Sequence, residues 1–117
     1  MIQLFLTIDF VHKMGLLHRD LKPDNILVST DQDGLLKIKI SDLGVTCPLV
    51  YLNKHEEREL CGCLCYVAPE VLSHKKYTEK SDLFTLGSVL YNLMTHKPLF
   101  EEREIVKLTD ANKKCDL

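Results

Sequence analysis

Long apolar runs are missing from this 117-residue sequence, because Asp9, His12 and Lys13 break up the N-terminal stretch. No segment approaches the roughly 20 residues a membrane span needs, and no basic stretch leads into an uninterrupted apolar one. The expectation is an intracellular protein, cytoplasmic or nuclear, with no membrane partner. A charge excess is missing too: 15 basic residues face 17 acidic ones, and no basic run exceeds a pair. That balance leaves no electrostatic footprint for nucleic acid, so a protein partner or a small ligand fits better. Repeats, low-complexity tracts and Gly/Ser linkers are absent, so residues 1–117 read as one continuous domain or part of one. The cysteines number five, an odd count, and Cys61, Cys63 and Cys65 alternate. Zinc sites usually place two to four residues between ligands, so these read as reduced thiols packed as small apolar side chains.

The elements follow from periodicity. Residues 2–13 place Leu4, Phe5, Ile8, Val11 and His12 on one helical face, and Gly15 follows as a C-terminal cap. Ile26–Ser29 and Leu35–Ile40 read as strands joined by "TDQDG", whose Asp-Gly pair suits a tight hairpin turn. Residues 43–67 show little periodicity and contain the charged "NKHEERE", which predicts a long connection of functional or mobile character. A helix over 81–95, capped by Ser81 and ended by Pro98, is apolar nearly all round and calls for burial on every side. "EEREIVKLTDANKK" predicts a weaker, exposed helix.

The stretch "LLHRDLKPDNIL" packs His18, Arg19, Asp20, Lys22, Asp24 and Asn25 between apolar flanks. Folding the hairpin brings Asn25, just before its first strand, toward Asp42, just after its second. An amide oxygen and a carboxylate at cross-strand separation can share one hard cation, and magnesium takes few protein ligands because it keeps waters and phosphates. Asp20 would sit beside that cation without binding it. The plain alternative is that Asp20, Asp24 and Asn25 cap turns, as such side chains commonly do. "STDQDGLLKIKI" also places Asp31, Asp33 and Gly34 at the offsets of a calcium loop, but Ser29 and Ile40 stand where its end ligands belong.

With "HRDLKPDN", "SDLG", "YVAPE" and "SDLFTLGSVLY" in that order, the sequence resembles the C-terminal lobe of a eukaryotic protein kinase, from about Phe5 to Phe100. The resemblance implies a mainly α, α+β fold: a partial kinase C-lobe whose β-hairpin carries the catalytic loop (18–25) and begins the activation segment (42–70). A buried helix follows at 81–95. It implies Asp20 as catalytic base, Asn25 and Asp42 as magnesium ligands, and ATP with Mg2+ as cofactors. Lys22 resembles the lysine that serine/threonine-directed members place beside the transferred phosphate, so the implied partner is a protein with Ser/Thr hydroxyls. His18 is implied to pack under the loop, and Asp82 to accept hydrogen bonds from its backbone. Small-molecule phosphotransferases of the aminoglycoside and choline type share a similar loop but lack Ala68-Pro69-Glu70.

Departures from the family pattern carry their own expectations. Leu43 replaces the Phe of Asp-Phe-Gly, where an apolar side chain still packs and Gly44 keeps its backbone freedom. Cys63 stands where a threonine hydroxyl usually links the substrate-binding loop to the catalytic Asp and Lys, and a thiol is a weaker donor and acceptor. Glu59 falls where relatives carry an activating phosphothreonine, so it either stands in for that phosphate opposite Arg19 or is one acid in a solvated run. Nothing resembles the N-lobe elements that grip ATP, nor the last C-lobe helices. Glu70 is then expected to lack its arginine, and the buried helix its cover. Two readings follow: a serine/threonine kinase of which this chain is a part, inactive alone unless a partner chain supplies the rest; or a non-catalytic, pseudokinase-like interaction module.

Overall fold

The computed structural model describes residues 2–54, 60–74 and 76–114. Helix α1 (Ile2–Lys13) leads to a short strand β1 (Leu16–Leu17), a single 3₁₀ turn (Pro23–Asn25) and a hairpin of β2 (Ile26–Thr30) and β3 (Leu36–Ile40). Then come β4 (Cys47–Pro48), α2 (Leu49–Lys54), α3 (Pro69–His74), α4 (Glu79–Thr95) and α5 (Glu102–Lys114). Among the described residues two antiparallel two-stranded sheets form: β2 pairs with β3, and β1 with β4.

The hairpin forms where the Asp-Gly signal places it. Gly34 takes φ 77°, and the Asp31 carboxylate accepts from the backbone N–H groups of Asp33 and Leu35. Asp31 thus fastens the turn. On the outer edge of β3 the Gln3 amide of α1 donates to the Leu36 carbonyl at 2.8 Å and accepts from the Ile38 N–H at 3.0 Å.

Among the described residues two small apolar cores hold these elements. One gathers Leu4 and Ile8 of α1, Leu21 and Leu86, with Ile26, Ile38 and Ile40 packed against them. The other gathers Leu17, Cys47, Leu52, Val67, Val71, Leu72, Tyr77 and Ile105, with the stacked rings of Phe84 and Phe100 alongside. The radius of gyration is 15.2 Å, against the roughly 13 Å of a compact domain this long, and the body is a plate of 54 × 34 × 19 Å.

Several elements depart from the sequence reading. Phe5 is exposed, because α1 is covered only along its Leu4–Ile8 line. Residues 43–67 are not one bare connection: Leu17 pairs with Cys47, and α2 follows. Helix α4 starts two residues early. Thr78 is its N-cap, and Ser81 sits at the third helical position, its hydroxyl accepting from the Thr78 N–H while its own N–H donates to the Thr78 hydroxyl. The helix ends at His96, in the left-handed conformation, before Pro98 is reached. Nor is α4 covered all round: its inward face carries Ser81, Asp82, Thr85, Leu86, Ser88 and Val89, while Leu83, Leu93 and Met94 are exposed. Polar groups occupy that inward face because the chain around it needs acceptors and donors there. No helix among the described residues is long and apolar enough to cross a membrane.

Candidate active site

The 18–25 loop runs along the seam between the two cores, with Leu17 anchored in one and Leu21 in the other. Between them Arg19 takes φ 67°, a left-handed conformation that costs a non-glycine residue about 1–2 kcal/mol. Asp82, buried on α4, compensates. Its Oδ2 accepts from the His18 N–H at 2.8 Å and its Oδ1 from the Arg19 N–H at 3.0 Å, while His12 Nε2 lies 2.9 Å from Oδ2. A carboxylate taken out of water needs donors of this number and quality. His18 is fully buried, and its Nδ1 accepts from the Asp20 N–H at 3.3 Å.

Asp20 divides its two oxygens. Oδ2 receives the Lys22 ammonium at 3.2 Å and the Asn25 amide at 3.3 Å. Oδ1 is buried and has no hydrogen-bond partner among the described residues. The hydrogen bond from Lys22 to Asp20, and then the charge of that carboxylate, hold the Lys22 ammonium above its ordinary pKa; desolvation opposes them, and Cys63 and Asp42 add the weakest upward pushes. Asn25 is buried, and its amide nitrogen also donates to the Asp20 carbonyl at 2.9 Å, so the oxygen is the atom it can offer a cation.

The hairpin register refines the placement of Asp42. Ile26 pairs with Ile40, and the Ser41 N–H donates to the Asn25 carbonyl at 2.8 Å, so Ser41 stands across from Asn25. Asp42 is one residue further, exposed, and turns out of the strand with φ 62°. The left-handed residue here is thus Asp42. Gly44 serves close approach instead: its N–H donates to Asp42 Oδ1 at 3.2 Å, and a Cβ on it would lie 3.1 Å from that oxygen. Leu43 does not pack; it is 63% exposed, since the turn at Asp42 aims it outward.

Cys63 is half-buried, and its carbonyl accepts from the Tyr66 N–H. Glu70, expected without a partner, accepts from the Ser81 hydroxyl at 3.1 Å, a neutral donor on α4. Glu59 lies outside the described residues, so the proposed pairing with Arg19 does too. What Arg19 does show is an Nε–H donating to the Val45 carbonyl at 2.6 Å and a guanidinium 5.2 Å from the centroid of the Tyr77 ring. Tyr77 and His12 were not singled out by the sequence reading as parts of this neighbourhood. Neither carries a local signal, because each acts on a group far away in the chain. No cluster of three or more His, Cys, Asp or Glu side chains is placed to hold a metal among the described residues.

A carboxylate with one bare oxygen, a lysine and an amide on its other oxygen, and Asn25 and Asp42 flanking the two strands of the hairpin are thus brought to one end of it. The family model for the protein kinase domain matches residues 1–116, and the chain belongs to that family. Among its relatives, calcium-dependent protein kinase 4 of Plasmodium falciparum is 38% identical over 114 residues, which cover 95% of this chain and 21% of that protein. An Aurora kinase of Schizosaccharomyces pombe is 38% identical over 96 residues, covering 82% and 25%. The serine/threonine-protein kinase Nek8 of Danio rerio is 38% identical over 107 residues, covering 92% and 15%. The chain therefore spans a quarter or less of the length of these relatives.

Proposed function

We propose that this chain is the catalytic-loop part of a serine/threonine protein kinase, a C-terminal-lobe segment, and that the protein transfers the γ-phosphoryl group of ATP to Ser or Thr hydroxyls of a protein. The observation that carries the reading is Asp20, with one oxygen engaged by Lys22 and Asn25 and the other buried and bare. A substrate hydroxyl would supply the donor that Oδ1 lacks, and Asp20 would take its proton as the oxygen attacks phosphorus. The Lys22 ammonium, held charged by Asp20 and 3.2 Å from its Oδ2, would stabilise the transferring phosphoryl oxygens. The oxygen donors of Asn25 and Asp42 suit Mg2+, which when bound would neutralise phosphate charge. Ala68, Pro69 and Glu70 favour a protein over a small-molecule acceptor, as the names of the relatives do.

The test is phosphotransfer from Mg-ATP to a Ser/Thr peptide by the intact protein and by Asp20→Asn. The amide preserves shape but accepts no proton, and general-base loss should lower kcat by about 10²–10⁴-fold. A variant retaining wild-type kcat would overturn the assignment of Asp20.

A further inference from the structure

Tyr77, between α3 and α4, is buried, yet its hydroxyl is fully used. It accepts from the Cys61 N–H at 2.5 Å and donates to the Cys61 carbonyl at 2.9 Å, so one side chain satisfies both backbone groups of a residue in the loop opposite. Its ring carries the Arg19 guanidinium. The next residue, Gly62, has φ 92°, and a Cβ there would lie 2.5 Å from the Arg19 carbonyl oxygen, a contact that backbone cannot yield to. Residues 61 and 62 are thus gripped from one side by the Tyr77 hydroxyl and rest on the other against the residue that precedes Asp20. Cys63 follows at once, and its carbonyl accepts from the Tyr66 N–H at 2.9 Å.

We infer that Tyr77 is a positioning residue for the protein substrate: it fixes the Cys61–Cys63 stretch against Arg19 and so sets the wall past which a substrate hydroxyl reaches Asp20. This rests on the kinase reading above. The cation–π contact and the hydroxyl act together, since the ring orients Arg19 while the oxygen orients the loop that touches it. The device is built from groups of the chain itself, and it predicts that the acceptor peptide and the nucleotide respond differently to its loss.

The experiment compares the intact wild-type protein with Tyr77→Phe, which keeps the ring in the core and removes only the hydroxyl. Losing one or two neutral hydrogen bonds should raise KM for a Ser/Thr peptide about five- to tenfold, with KM for ATP and kcat within about twofold. Hydrogen exchange of the Cys61 amide should accelerate by about tenfold while the Leu86 amide in α4 is unchanged. If Leu86 protection falls, Gly62→Ala takes over the kinetic test, because its Cβ breaks the same approach at the Arg19 carbonyl and meets the core only at Val67, 3.3 Å away, and the same KM split is expected. A peptide KM at the wild-type value in the folded variant overturns the inference, as does a matching rise in both KM values. A wild-type protein without phosphotransfer overturns the kinase reading instead; the Cys61 exchange then decides the grip alone, and unchanged exchange refutes it.

Discussion

Removing the charge of Asp82 should unfasten the 18–25 loop from α4. The carboxylate accepts from two backbone N–H groups and touches His12, all within 2.8–3.0 Å, and only 3% of the residue is exposed. In Asp82→Asn the amide oxygen can keep the His18 N–H and His12, but its NH2 then meets the Arg19 N–H, donor against donor. The Arg19 turn loses the acceptor that offsets its left-handed conformation. A hydrogen bond to a buried charged group is worth about 1.5–3 kcal/mol, so the loss should be about 2–3 kcal/mol for Asn. For Asp82→Ala, which strands both N–H groups, about 4 kcal/mol is expected. Urea unfolding followed by far-UV circular dichroism reads this directly. With a slope of about 1–2 kcal/mol per molar, the Asn midpoint should fall by roughly 1–3 M. An Asn variant within about 0.5 kcal/mol of wild type would refute the view that this carboxylate holds the loop.

Leu86→Ala opens a hole where α1, Leu21 and α4 meet and should cost about 3 kcal/mol by the same unfolding measurement, whereas Leu93→Ala, on the exposed side of α4, should cost about 0.5 or less. Equal losses would contradict the one-sided burial of the helix. Burial holds the Tyr77 phenol above its ordinary pKa, so the folded state keeps a proton that the unfolded chain releases near pH 10. That contribution is whole below the unfolded value and is lost as pH rises through the folded one. Tyr66 is shifted upward by burial too, and Lys22 by Asp20, so Tyr77→Phe should flatten the alkaline loss of stability without abolishing it. Identical alkaline slopes in variant and wild type would rule out a buried phenol at this position.

Local chemistry was readable where the residues that make a structure are neighbours in the chain. The Asp31–Gly34 turn, the two strands around it, α1 and α5 all follow from spacing or turn residues within a few positions. What was hidden depends on remote partners. Strands of two residues, Leu16–Leu17 against Cys47–Pro48, carry no periodicity of their own. Ser81 precedes the apolar run as a cap would, yet Thr78 takes that place because its hydroxyl accepts from the Ser81 N–H, while Ser81 completes the capping box from the third helical position. The apolar count of α4 implied burial on all sides, while the structure turns its polar side chains inward to meet the backbone of the loop. Around the site, the residues of the 18–25 loop lie together as their order suggested. The one-residue shift that puts Ser41 across from Asn25 is a matter of register, which no single sequence motif fixes.

The contact of Gln3 with β3 has a consequence for the protein's behaviour in a crowded solution. An outer strand with free amide and carbonyl groups and exposed Leu27, Val28, Leu35 and Leu36 around it invites pairing with any passing extended chain. The Gln3 carboxamide makes with Leu36 and Ile38 the two bonds that such a chain would make first. One side chain from the opening helix thereby occupies the middle of an edge that would otherwise be open to pairing between molecules, and covers that side of the hairpin next to the 18–25 loop.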